Sequence, residues 1–179
     1  MTVLKPSSSN NLFLTSSALL QKGSYVAAPV NLDGYFFIAS KVYSFSRCPC
    51  WQIDALASAV SKYPDVTFVI CHLLAPQRGD AELLKRSLGK LVRDNVYFDL
   101  ASVPNNQKPE VYPYPSAVIH LGTAKAVVGA EKLMFGTDMP CTLARDSYSN
   151  LKNYIIESNV FTARELEDVF YNTAEKIYF

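Results

Sequence analysis

No charge of one sign dominates this sequence. Its 179 residues carry 17 Lys and Arg against 16 Asp and Glu, a formal net charge of +1. No long-range field therefore draws it to nucleic acid, an anionic membrane or an acidic ligand. Long apolar runs are missing as well. A membrane-spanning helix requires roughly 20 apolar residues, and the longest candidate, residues 12–20, is interrupted by Thr15, Ser16 and Ser17. With only Lys5 ahead of it, that stretch also makes a poor export signal. Cysteine is sparse: there are four, Cys48, Cys50, Cys71 and Cys141. Without an export signal their even number argues for reduced thiols in a cytoplasmic setting rather than for disulfides. Cys48-Pro49-Cys50 has one intervening residue, where a zinc knuckle or redox turn has two, and no second pair completes four ligands. These two read as loop cysteines. Neither G-x-G-x-x-G nor G-x-x-x-x-G-K follows any apolar run, which removes the usual signs of dinucleotide or phosphate binding. Histidine is scarcer still, at His72 and His120 alone.

What is present is a patterned, hydrophobic chain, 49% apolar and 18% charged, of a size that fits one domain with a real core. Residues 1–34 form a Ser- and Asn-rich segment, expected to be poorly ordered or weakly helical. From Tyr35 onward, short continuous apolar runs alternate with amphipathic segments, the pattern of parallel strands covered on both faces. A strand is expected over 35–39 and a helix over 51–63, with Ile53, Leu56, Val60 and Tyr63 on one face. Strand 66–71 follows, then Asp80 as N-cap of a helix burying Leu84, Leu88 and Leu91. Strand 96–100 leads to a helix from Pro115 to Val128, with Gly129 as a left-handed cap. After strand 132–135 come a helix near 147–157, a capping box at Thr162 and Glu165, and a docked helical tail over 172–179. Strands separated by single helices run parallel with right-handed crossovers. The fold class is therefore α/β, with residues 35–179 as the domain.

Ligands of parallel α/β folds gather at the carboxyl ends of the strands, and two residues stand there. His72 directly follows one strand and Asp138 follows another after Gly136 and Thr137. They end strands two units apart, and alternate barrel strands contribute to the same interior layer, so both can face one centre. Each has an ordinary structural alternative, a hydrogen-bonded histidine at a strand end and a turn aspartate. Together, imidazole and carboxylate suit zinc, iron or manganese, and a carboxylate beside a metal also serves as a proton acceptor. Cys71, one residue before His72, is expected to face the helices. His120 lies within a helix and is expected on its surface.

Three segments in order carry a resemblance: residues 63–72, ending Ile70-Cys71-His72; residues 95–102, ending Leu100-Ala101-Ser102; and residues 128–140, containing Phe135-Gly136-Thr137-Asp138-Met139-Pro140. With Val169-Phe170-Tyr171-Asn172-Thr173-Ala174 near the end, the chain from residue 51 on resembles the amidohydrolase-related branch of the amidohydrolase superfamily. The resemblance implies the carboxyl-side half of a TIM (β/α)8 barrel, with His72, Ser102 and Asp138 closing the sixth, seventh and eighth strands. It implies a divalent metal, zinc or manganese, and hydrolysis of C–N or ester bonds of a small-molecule substrate by a metal-activated water. Asp138 would ligate metal and take the proton; His72 would ligate metal or orient the water. The same superfamily includes decarboxylases, which is the alternative activity.

The departures define a third reading. A first-strand His-x-His pair and a fifth-strand histidine are expected of the family and absent here, since His72 and His120 are the only histidines. Catalytic zinc takes three protein ligands and a water, so the site is incomplete unless Asp33, Ser40, Asp99 or Cys141 is recruited. The expectation is a truncated member with little or no activity alone, or a non-catalytic binding or assembly module. Its open sheet edges would favour self-association.

Overall fold

A computed structural model describes residues 50–179 together with three short strands ahead of them, β1 (Thr2–Val3), β2 (Leu14–Thr15) and β3 (Tyr35–Ile38). β1 and β2 pair antiparallel. The expectation of weak order over residues 1–34 otherwise lies outside the described residues. From β3 the chain alternates: α1 (Cys50–Lys62), β4 (Thr67–Ile70), α2 (Ala81–Gly89), β5 (Val96–Asp99), α3 (Pro115–Val128), β6 (Leu133–Met134). Three helices close it: α4 (Tyr148–Ile156), α5 (Ala163–Glu167) and α6 (Thr173–Tyr178).

Strands β3, β4, β5 and β6 form one parallel sheet in sequence order. One helix between successive strands makes this order the natural one, because each crossover returns the chain to the next position in the sheet. The strand residues divide by parity. Phe68, Ile70, Phe98 and Leu133 enter the main core with Ile53 and Val60 of α1, Leu84 and Leu88 of α2, and Ala117, Leu121 and Ala124 of α3. Val69, Tyr97 and Met134 face the other way, onto Ile177 of α6. Both faces are thus covered, which is why the strands read as continuous apolar runs rather than as alternating ones.

The carboxyl-terminal helices reach that second face by crossing the sheet edge. Thr162 and Glu165 form the expected capping box, each side chain accepting from the other's backbone N–H, at 3.3 Å and 2.7 Å. Lys125 of α3 adds an ion pair to Glu165 at 2.7 Å, and these contacts lower the Glu165 pKa to about 2. A π-helical turn, Asp168–Asn172, joins α5 to α6. Within it the Val169 carbonyl accepts from Phe135 N–H at 2.7 Å, so the residue after β6 bonds to this helix instead of to another strand. Val169 itself belongs to the main core, whereas Ile177 lies on the opposite face.

Two local details differ from expectation. Gly129 does follow α3, but at φ 84 and ψ 156 it is extended with positive φ rather than left-handed helical, a region open essentially to glycine alone. Asp80 does precede α2, yet its carboxylate accepts from Gln77 N–H, upstream of the helix, at 3.2 Å.

Candidate functional site

The carboxyl edge of the sheet is where the backbone departs from ordinary conformations. Of the eight non-glycine residues with positive φ among the described residues, six lie there: His72, Leu73, Leu74 and Ala75 after β4, Ser102 after β5, and Asp138 after β6. A left-handed conformation costs an L-residue roughly 1–2 kcal/mol, so the turn after β4 has to be held in place. Leu73 and Leu74 are buried beneath it, and Ala75 N–H closes it on the His72 carbonyl at 2.7 Å.

The polar contacts of this edge are mutual. His72 N–H donates to Asp99 Oδ1 at 2.9 Å, and Ala101 N–H donates to the same oxygen at 3.0 Å. His72 Nδ1 lies 3.0 Å from the Ala101 carbonyl oxygen. A carbonyl only accepts, so Nδ1 is the donor, and in the neutral ring the lone pair falls to Nε2. One residue on, Ser102 Oγ donates to Asp138 Oδ2 at 2.5 Å, and Asn105 Nδ2 donates to Ser102 Oγ at 3.5 Å. His72 and Asp138 are therefore tied to adjacent residues of a single loop. Gly136 permits the loops to meet, since a Cβ there would sit 3.1 Å from the Ala101 Cβ.

Cys71 corrects the expectation that it faces the helices. Burial first, then the neighbouring carboxylates of Asp99 and Asp138, push its thiol pKa up. The reason is parity counted from the strand: Val69 faces away from the core formed with α1, α2 and α3, so Cys71 two residues later shares that face. His72 departs from strand alternation because the chain turns left-handed at it.

His120 is a second correction. It belongs to the buried stripe of α3 with Ala117, Leu121, Ala124 and Val128, and it is 1% exposed rather than on the helix surface. Its Nδ1 has no hydrogen-bond partner. Burial lowers its pKa, with Asp80 and Glu110 opposing. A 3.6-residue period through Ala117, Leu121 and Ala124 would have placed it inside.

Of the residues considered for recruitment, Asp99 is at the site, and Cys141 lies exposed in a 3₁₀ turn just after Asp138. Asp33, Ser40 and Cys48 fall outside the described residues, while Cys50 opens α1. Among the described residues no three His, Cys, Asp or Glu side chains are grouped to hold a metal ion. An imidazole nitrogen and a carboxylate oxygen, the donors His72 and Asp138 carry, are of the kinds that take a divalent metal, and they are one short of the three protein ligands usual for catalytic zinc. Among the described residues no helix is long and apolar enough to cross a membrane.

A parallel sheet with polar side chains converging at its carboxyl edge is the frame of α/β-barrel enzymes. The Amidohydrolase family model matches residues 30–179, and the chain belongs to that family. Solved structures agree on the fold. An amidohydrolase from Burkholderia multivorans with bound HEPES superposes with a TM-score of 0.70 at 16% identity, over 82% of this chain and 53% of that one. Its zinc-bound form gives 0.65 at 18% identity, over 82% and 52%. A putative 2-pyrone-4,6-dicarboxylic acid hydrolase from Pseudomonas putida gives 0.57 at 19%, over 70% and 48%. The chain thus spans about half the length of these structures and corresponds to part of their barrels. No curated protein matches it.

Proposed function

We propose that this chain contributes the carboxyl-side part of a metal-dependent hydrolase site acting on C–N or ester bonds of small molecules. The observation that carries the reading is the pair of bonds around Ala101 and Ser102. One fixes the His72 tautomer with Nε2 free, and the other orients Asp138 with Oδ1 free, at the same edge of one sheet. A divalent metal, when bound, supplies an electrophile and lowers the pKa of a water. Asp138 would take the proton of that water on its carboxylate, which Ser102 keeps from rotating. His72 presents the Nε2 lone pair as a ligand or as a donor once protonated. The zinc-bound relative favours zinc as the ion, with further ligands coming from outside this pair. Unpaired Cys71 and Cys141 fit a reducing, cytoplasmic compartment.

Calorimetric titration of the full chain with zinc tests the reading, beside assays on lactones, amides and aromatic acids. His72→Ala and Asp138→Ala are each expected to weaken zinc binding at least tenfold. Zinc binding unchanged in the double variant would overturn the site, and carbon dioxide release from an aromatic acid without any hydrolysis would overturn the reaction class.

A further inference from the structure

We propose that Asp99 is the positioning residue that sets both His72 and Asp138, an inference that rests on the hydrolase reading for its consequence though not for its geometry. Asp99 ends β5 and stands beside Cys71 across the parallel ladder, since Ile70 pairs with Phe98. Its Oδ1 accepts two backbone N–H groups, from His72 and from Ala101. The first bond holds the left-handed exit of β4, whose cost falls on His72 at φ 59. The second turns the chain sharply after β5. That turn aims the Ala101 carbonyl at His72 Nδ1 and passes Ser102 into a left-handed conformation from which Oγ reaches Asp138.

One oxygen atom therefore governs two ligand geometries through two loops. Hydrogen bonds to an ionised acceptor are roughly twice as strong as neutral ones, which suits a group that must hold strained backbone. With Oδ1 taken by two donors, Asp99 acts through its neighbours rather than on a substrate. Outer contacts of this kind typically alter metal affinity 10- to 100-fold when removed. Here the carboxylate contacts the backbone of the histidine and leaves the ring to a carbonyl, so its removal should be visible first as a change of tautomer.

The chain has only two histidines, which makes that change measurable. Long-range ¹H–¹⁵N correlation spectra of the ¹⁵N-histidine-labelled full chain are recorded at about pH 8, above the ordinary imidazole pKa of about 6.5. A His72→Gln sample assigns the signals. Wild-type His72 is expected as the Nδ1–H form. Asp99→Ala should return it toward the Nε2–H form that free imidazole side chains favour and weaken zinc binding at least tenfold. Asp99→Asn keeps an acceptor oxygen and should retain the Nδ1–H form, with zinc binding within a few-fold of wild type. A wild-type Nε2–H form overturns the proposal even if Asp99→Ala does not fold. So does an Asp99→Ala chain that keeps Nδ1–H, or an Asp99→Asn chain that fails as fully as Asp99→Ala. A shifted tautomer in a chain whose wild type binds no zinc leaves the positioning role intact and sinks the metal site. Zinc binding that ignores Asp99→Ala, with the tautomer unmoved, does the reverse.

Discussion

The carboxyl edge of the sheet and the helix layer behind it each contain one histidine, and the two are held in opposite ways. His72 sits in strained backbone with its ring nitrogen bonded and its surroundings half open. His120 sits in regular helix, fully enclosed, with Nδ1 unpartnered. Strain is concentrated where polar groups converge, and regular backbone lies where apolar burial supplies stability. This division is the one expected of a site carried on a scaffold, where local conformational cost is offset by packing elsewhere.

The comparison breaks first on stability. His120→Ala empties a buried position between helices, and by analogy with other large-to-small core changes it should cost about 2–4 kcal/mol. His72→Ala removes one half-exposed bond and should cost under about 1 kcal/mol. Urea unfolding of both variants checks this, and equal losses would mean that the edge is as much a part of the core as α3. The pH dependence follows from the same contrast. Burial lowers the His120 pKa in the folded chain, so the unfolded chain binds its proton more readily. The stability that neutral His120 permits is then complete above the ordinary histidine pKa of about 6.5 and is lost as pH falls below it toward the folded value. Asp80 and Glu110 moderate the loss. His120→Gln should flatten the slope of unfolding free energy between about pH 5 and 7; an unaltered slope would assign it to the carboxylates.

A smaller effect tests the strain directly. Ala75 has φ 52 and ψ 54 and carries no polar group. Glycine there avoids the roughly 1–2 kcal/mol left-handed penalty but loses about 0.5–1 kcal/mol through its freer unfolded chain. Ala75→Gly should thus stabilise by up to about 1 kcal/mol without changing zinc binding. Thermal melts that show destabilisation would mean that the turn is relaxed as it stands.

Much of this architecture is legible in the sequence because it depends on period and punctuation. The apolar runs ending at Ile70 and Leu100, the Pro115 start of α3 and the Thr162–Glu165 box all declare themselves locally. His72 and Asp138 are visible because strand ends are. Asp99 and Ser102 are less so: their importance depends on hydrogen bonds across 27 and 36 residues of chain, which no local pattern encodes. The burial of His120 was readable from the α3 period, but a polar residue on that stripe is easily assigned to the wrong side. The facing of Cys71 is hidden from an alternation counted from His72, because His72 is the residue at which alternation stops.

The finest distinction between the two regions concerns hydroxyl groups. Tyr154 of α4 is 2% exposed, packs its ring edge-on to Tyr114 with centroids 5.7 Å apart, and has an OH without a partner. A buried hydroxyl lacking a hydrogen bond forfeits about 1–3 kcal/mol of solvation. Removing it leaves a void of roughly one oxygen atom, whose cost opposes the gain. Tyr154→Phe keeps the ring contact and should leave stability unchanged or raise it by up to about 1 kcal/mol. Ser102→Ala deletes a hydroxyl of the opposite kind, one that orients Asp138, and should weaken zinc binding several-fold with little change in melting temperature. Measured together, the two variants separate packing from function. A Tyr154→Phe chain that melts earlier would show that the helix layer contains a satisfied polar contact after all. A Ser102→Ala chain that binds zinc as wild type does would remove Ser102 from the site.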